Sequence, residues 1–217
     1  MTEDGKENHS AFDDIRRVEN ELLDIYKQHL SGRPVGYRHF YLCGIARRAL
    51  AQSRAFQNCV QDRNGLVALA ILRLQLDTVL RLYALYWVAD PESFAQEVFQ
   101  GKQIDRIKAA DGELMKDRYL IDKVMPRNPW VDSVYKNTSG LIHFSDRHMR
   151  AAIHTKDADQ GAFELFLGPN DPSHEMDDFD EAISAFFHVT AMIKVATEDW
   201  FSRVDPKPNG IATETGA

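Results

Sequence analysis

The chain has 217 residues, 44% of them hydrophobic and 27% charged, which suits one sizeable globular domain. The polar, acidic start MTEDGKENHS does not resemble a secretory signal, so we expect none. The two cysteines, Cys43 and Cys59, match no metal-binding spacing. We therefore expect a cytoplasmic protein whose thiols are reduced and buried.

Positive charge is concentrated in one part of the chain, although the formal net charge is −7. Residues 31–90 carry 8 arginines and 3 acids, a net of +5, whereas residues 151–217 carry 4 bases and 13 acids, a net of −9. An arginine-rich zone in an acidic protein can meet an anion, including RNA. The favoured interpretation is that this zone pairs with the acidic C-terminal segment inside the fold.

The first predicted elements are two helices. Apolar residues at three- and four-residue steps predict a helix over 11–30, and SGRPVG then breaks the chain. A second helix is predicted over 37–62, and the turn DRNG should fold the next helix back against it. Residues 1–10 and 206–217 are expected to be disordered tails around a single domain of residues 11–205.

The third predicted helix, over 66–89, is the most apolar segment. Of its 24 residues 19 are apolar, and it is long enough to span a bilayer. Its charged residues Arg73, Asp77 and Arg81 would each cost roughly 2.5–3.5 kcal/mol near a bilayer centre. The pattern therefore predicts no membrane association and a central, buried helix of a bundle.

The second half of the chain predicts shorter elements. A short helix follows Asp90, and one or two more are expected within 102–127. A helix over 129–144 precedes two strand-like runs, HMRAAIH and AFELFLG, which predict a β-hairpin over about 148–167. A final helix is predicted over 175–204. The fold class is thus all-α, a helical bundle with one small appended hairpin.

Arg73, Asp77 and Arg81 are spaced by four residues and share one stripe of the third helix. Buried charges are costly unless they are paired. Asp77 can pair with both arginines, which leaves one net positive charge to be matched elsewhere. Two interpretations stay open: a polar pocket that binds an anion or positions a catalytic group, and an ion-pair stripe that fixes helix register.

A second polar stripe is a candidate partner for the first. Tyr135, Ser139 and His143 also repeat every four residues. We expect them to face the third helix, with His143 within hydrogen-bond reach of Asp77 or of its arginines. Such a contact would orient the imidazole and allow acid–base chemistry by His143, Arg73 and Asp77. The alternative is an interior histidine with a purely structural role.

Arg147 and His148 follow this stripe and are further candidates for binding, together with Arg81, Tyr135 and Ser139. His143, Asp146, His148 and His154 cross a predicted helix-to-strand junction without a familiar metal spacing. The chain contains no glycine-rich phosphate loop, no HExxH motif and no CxxC motif. The sequence therefore predicts neither a metal nor a cofactor.

Two segments resemble bacterial helical domains related to the HEPN superfamily: LRLQLDTVLRLYALYWV, residues 72–88, and VYKNTSGLIHFS, residues 134–145. The resemblance covers roughly residues 35–150. HEPN ribonucleases typically dimerise and cut RNA with an arginine and a histidine separated by four to six residues. Two pairs here have that spacing, Arg33 with His39 and Arg147 with His154, about as many as chance gives at this composition.

Three functions remain open at this point. The favoured one is a non-catalytic helical protein whose Arg/Asp/His pocket binds a partner, either RNA or a protein. The resemblance implies the second, a HEPN-like ribonuclease or nucleotide-handling enzyme of a defence or toxin system, which would form a homodimer. The third is a purely structural subunit.

Overall fold

The computed structural model describes residues 4–157, 162–171 and 176–207. Its helices and strands, in chain order, are α1 Asp4–Leu30, α2 Tyr37–Gln61, α3 Gly65–Trp87, α4 Pro91–Phe99, α5 Asp117–Val124, α6 Trp130–Ser139, α7 Asp146–Ala151, β1 Ile153–Asp157, β2 Ala162–Leu165 and α8 Asp180–Asp199. Short 3-10 turns cover Ile104–Arg106 and Met176–Phe179, and a π-helical turn covers Trp200–Val204. The predicted all-α bundle with one hairpin is confirmed.

Helix α3 is central, as its apolar pattern predicts. It packs against α2, α8, α5 and α6, and most of its apolar side chains are buried. Among the described residues, no helix is long and apolar enough to cross a membrane. At its start, Asn64 Oδ1 accepts a hydrogen bond from the Val67 amide at 3.2 Å, so a helix cap ends the DRNG turn.

The core lies between α2, α3 and α8, with α1 packed on α8. Phe56 of α2 and Phe186 of α8 are fully buried and stack with ring centroids 4.0 Å apart. Trp200 and Phe201, just after α8, are also fully buried. Both cysteines are free thiols, but Cys43 is exposed and Cys59 is only partly buried, so the predicted burial of the two thiols is wrong for Cys43 and incomplete for Cys59.

Several element bounds differ from the prediction. Helix α1 begins at Asp4 rather than Ala11. Residues 146–151 form helix α7 because Ser145 caps it, so the hairpin begins at Ile153. Strands β1 and β2 pair antiparallel, with Ile153 opposite Leu165. Of the predicted tails at 1–10 and 206–217, the parts at 1–3 and 208–217 lie outside the described residues, as does the predicted start of the last helix at 175.

The prediction of one or two short helices within 102–127 is confirmed by α5 and the preceding 3-10 turn, although most of the segment before α5 is not helical. A 3-10 turn is followed by a single bridge between Lys108 and Leu114, and only Asp117–Val124 forms an α-helix. Helix α6 also ends early, at Ser139, with Gly140 as its C-cap. Both differences change what surrounds the charged stripe of α3.

Candidate functional site

Asp117, the first residue of α5, is the centre of an ion-pair network on α3. Its Oδ2 accepts a hydrogen bond from Arg73 Nη2 at 3.2 Å, and its Oδ1 accepts one from Arg81 Nη2. The Tyr135 hydroxyl of α6 donates to Oδ2 at 3.3 Å. A carboxylate also suits the first turn of a helix. One side chain of α5 thus connects α3 to α6.

Asp77 is the second carboxylate of this network. It lies 2.9 Å from Arg81 Nη2 and 3.1 Å from Arg48 Nη2 of α2. The predicted pairing of Asp77 with Arg81 is therefore present, but its other partner comes from α2 rather than from Arg73. We call this network, with Tyr135 included, the Asp117 cluster; its members are Arg48, Arg73, Asp77, Arg81, Asp117 and Tyr135.

The Asp117 cluster has an excess of positive charge, because three arginines share two aspartates. Burial alone would lower the pKa of the Arg81 guanidinium, but Asp77 and Asp117 raise it above its ordinary value. Burial alone would raise the pKa of Asp117, but Arg81 and Arg73 hold it below its usual range. Both groups therefore stay charged near neutral pH, and one net positive charge remains.

The cluster borders a cleft of about 640 Å³ between α2, α3 and the segment that leads into α5. The lining residues are Arg48, Arg81, Gln103, Ile104, Asp105, Lys116 and Asp117. The exposed Lys116 and Gln103 side chains make no hydrogen bond with any described residue. The buried Arg81 Nη1 and Arg73 Nε also lack a partner within the described part of the chain. Lys116 and Gln103 therefore leave unused hydrogen-bond donors at the cleft, whereas the two buried arginine nitrogens are not accessible from it.

Only one residue of the predicted polar stripe of α6, Tyr135, reaches the Asp117 cluster. Tyr135 meets α3, since its ring lies 4.1 Å from the Arg73 guanidinium carbon. Ser139 is exposed and donates to the Lys136 carbonyl at 3.2 Å, and His143 is exposed. The predicted contact of Ser139 and His143 with α3 is wrong: Ser139, the last residue of α6, is exposed to solvent, and His143 lies beyond the end of the helix.

Arg147 and His148 lie outside the cleft and take part in local structure. The Arg147 guanidinium donates to the Asn137 carbonyl. His148 Nδ1 accepts from the Ser145 amide at 3.2 Å, which completes the cap of α7. The His154 side chain lies outside the described ones. Within the described part of the chain, no group of three or more His, Cys, Asp or Glu residues is arranged to hold a metal ion.

Sequence reasoning missed three members of the site: Arg48, Lys116 and Asp117. The available signal was the unmatched positive charge of the α3 stripe, which required an acid from elsewhere in the chain. Asp117 lies in KDRYLIDKV, at the acidic start of a helix. Asp117 lies far from α3 in the sequence, so residue spacing could not predict the contact. Only tertiary packing brings α5 beside Arg73 and Arg81.

A second cluster of charges lies where the chain leaves α8. Asp205 Oδ1 accepts from Arg33 at 3.0 Å and from Arg38 at 3.2 Å, and Oδ2 lies 2.7 Å from His39 Nε2. Arg38 also pairs with Glu92 at 2.9 Å. We call these five residues, Arg33, Arg38, His39, Glu92 and Asp205, the Asp205 cluster. It confirms in part the predicted pairing of the arginine-rich zone with the acidic C-terminal segment.

His39 has a defined role within the Asp205 cluster. The Gly36 amide donates to its Nδ1 at 2.8 Å, so Nε2 carries the proton and donates to Asp205. The side chain is only 2% exposed. Burial alone would raise the pKa of Asp205, but Arg38, His39 and Arg33 hold it below its usual range. Both nitrogens of His39 are thus engaged in connecting α2 to the end of the fold.

Comparison with family models, with curated proteins and with solved structures gives no match. The function is therefore argued from the geometry of the two clusters and of the cavities beside them.

Proposed function

We propose that this protein is a binding protein that holds a small anion, carrying a carboxylate or phosphate group, in the cleft beside the Asp117 cluster. The supporting observation is the charge of the cluster: three arginines face two aspartates and leave one net positive charge. Arg48 is 42% exposed at the cleft, and Lys116 adds an ammonium that has no ion-pair partner among the described residues. An anion would neutralise this excess.

Binding is favoured over catalysis because the cleft has fixed charges. General acid–base chemistry needs a group that exchanges protons near the working pH. The charged groups that line the cleft are arginine, lysine and aspartate, and no histidine is among the lining residues that the structure describes. The pKa values of Arg81 and Asp117 are moved away from neutrality rather than towards it. Such groups are suited to hold an anion in place.

RNA is the second candidate ligand, because phosphates are anions and residues 31–90 are rich in arginine. The HEPN-like ribonuclease has less support. Of its two arginine–histidine pairs, Arg33 and His39 are engaged with Asp205. Cleavage by His143 together with Arg73 is tested directly: the ribonuclease hypothesis expects His143→Ala to fold but lose cleavage of an RNA oligonucleotide.

Calorimetric titration of the full chain tests the anion-binding proposal. The probes are inorganic phosphate, succinate and a short RNA oligonucleotide, each at low ionic strength. We expect Arg48→Gln and Lys116→Gln each to weaken phosphate or succinate binding by about tenfold, which corresponds to one lost charge-assisted hydrogen bond. Added salt should weaken binding further, because the donors are exposed.

Arg54→Gln is the matched control, since Arg54 is also an exposed arginine of α2 but lies away from the cleft lining. It should bind the probes as the wild type does. Equal affinity in Arg48→Gln, Lys116→Gln and the wild type would contradict the proposal. If only the RNA probe binds, and binding depends on Arg48 and Lys116, RNA is the ligand instead of a small anion.

A further inference from the structure

A separate cavity of about 390 Å³ lies at the C-terminal end of α3, between α5 and α8. It shares no lining residue with the cleft of the Asp117 cluster. Cavities of roughly 300–1,000 Å³ are typical of sites for small organic ligands. Its walls combine partly exposed aromatic rings with basic side chains, and each of these features restricts the chemistry of a ligand.

Aromatic side chains of α3 form one wall. The rings of Tyr83 and Trp87 have centroids 5.9 Å apart and planes that differ by 23°. Tyr86 lies beside Tyr83 with a centroid distance of 5.7 Å, and all three rings are partly exposed. Tyr83 and Trp87 stack on each other, so another planar ring can extend the stack only on the outer face of this pair.

Three polar groups at this cavity make no hydrogen bond with any described residue: the Tyr83 hydroxyl, the Arg127 guanidinium and the Asn128 amide. Tyr83 and Asn128 are only partly exposed. Burial, with the nearby Asp199 carboxylate, raises the pKa of the Tyr83 phenol, so it remains a neutral donor. The cavity thus has free donors within reach of its aromatic wall.

The other polar groups of the cavity already have partners. The Tyr86 hydroxyl donates to the Ala196 carbonyl at 2.6 Å, and Arg203, on the π-helical turn, pairs with Asp199. Lys123 pairs with Asp111 at 3.0 Å. With these pairs neutralised, Arg127 leaves one net positive charge at the rim of an aromatic cavity.

We propose that this cavity binds a small aromatic carboxylate. The ring stacks on Tyr83 and Trp87, the carboxylate meets the Arg127 guanidinium, and the Tyr83 hydroxyl and Asn128 amide hydrogen-bond to polar substituents. A planar anion is the class that uses all the unengaged features together: the flat apolar wall, the free cation and the neutral donors. The site is independent of the anion-binding cleft, so either proposal can fail without the other.

Calorimetry with 2-naphthoate, its uncharged analogue 2-naphthamide, and acetate separates the two parts of the proposal. We expect naphthoate to bind about tenfold or more tightly than either analogue, because each lacks the ring or the charge. Arg127→Gln should weaken naphthoate by about tenfold and leave naphthamide unchanged. Trp87→Leu should weaken both naphthyl probes, through loss of the stacking surface.

Arg54→Gln and Arg48→Gln are the controls; the first removes an exposed, unpaired arginine of α2, and the second alters the other cleft. Both should bind naphthoate as the wild type does. The proposal is overturned if naphthoate does not bind, if acetate binds as tightly, or if Arg127→Gln, shown to be folded by circular dichroism, retains wild-type affinity. Loss in Arg48→Gln alone would instead assign naphthoate to the cleft of the Asp117 cluster.

Discussion

The Asp117 cluster and the Asp205 cluster are built from the same parts and differ in charge balance and closure. Each centres on one aspartate that binds two arginines. In the Asp205 cluster, two arginines meet two carboxylates and a neutral histidine. In the Asp117 cluster, three arginines meet two carboxylates. The first is therefore neutral, whereas the second carries a positive charge beside an open cleft.

This difference separates a structural role from a binding role. The side chains of Arg33, His39 and Asp205 are 7%, 2% and 11% exposed, so the centre of the Asp205 cluster is closed to a ligand, although Arg38 and Glu92 at its edge are 31% and 36% exposed. Arg48 is 42% exposed, and Lys116 and Gln103 are exposed at the same cleft. Substitutions in the two clusters should consequently separate stability from affinity.

The largest expected effect comes from Asp205→Ala. The substitution leaves Arg33 and Arg38 without their shared carboxylate and removes the partner of His39 Nε2. Removing one member of a buried ion pair costs about 3–5 kcal/mol. We expect the free energy of unfolding, measured by urea denaturation, to fall by this amount, while phosphate binding by the folded fraction stays unchanged.

Asp122→Ala is the control for this experiment, because Asp122 pairs with Arg118 on the surface, where the two side chains are 53% and 60% exposed. Exposed pairs contribute about 0–1 kcal/mol, so this variant should stay close to the wild type. If Asp205→Ala costs no more than Asp122→Ala, the Asp205 cluster is not the structural connection described above.

Asp117→Asn should have a smaller effect on stability and an opposite effect on affinity. The amide leaves Arg73 without a charged partner, and Arg73 is only 8% exposed. A loss of about 1–3 kcal/mol is expected, since Arg81 keeps Asp77. The net charge of the cluster rises by one, so phosphate should bind more tightly in calorimetry. Weaker phosphate binding by a folded Asp117→Asn variant would argue against the cleft as the anion site.

The pH dependence of the free energy of unfolding should show the contributions of Asp117 and Asp205. The pKa of each is lower in the folded protein than its ordinary value, so the unfolded chain binds more protons over the intervening range. Their stabilisation is then fully present above about pH 5 and is lost as the pH falls through the folded pKa values. Urea midpoints measured from about pH 6 to pH 3 should fall less steeply in Asp205→Asn than in the wild type. Parallel curves would contradict this assignment.

The sequence predicts the framework of the fold better than it predicts the site. Helical periodicity and apolar content were sufficient to identify α3 as the central helix and to predict its charged stripe. The predicted contact of His143 with α3 is wrong because α6 ends at Ser139, so the helical spacing does not extend to residue 143. Asp117 was missed because its contacts with Arg73 and Arg81 join residues 44 and 36 positions apart, which local patterns do not encode.

The smallest expected effect concerns Tyr135, the one member of the predicted polar stripe that reaches α3. Tyr135→Phe removes the hydroxyl that donates to Asp117 Oδ2 at 3.3 Å but keeps the ring beside Arg73. We expect a loss of about 0.5–1.5 kcal/mol in urea denaturation, because Asp117 retains both arginines. Tyr119→Phe is the matched control, since its hydroxyl bonds to the exposed Asp111 at 3.0 Å and should contribute less.

Tyr135→Leu also removes the ring and should cost about 0.5–1 kcal/mol more, the usual contribution of a partly exposed cation–π contact. Equal stabilities of Tyr135→Phe and Tyr135→Leu would mean that the hydroxyl, rather than the ring, connects α6 to the Asp117 cluster.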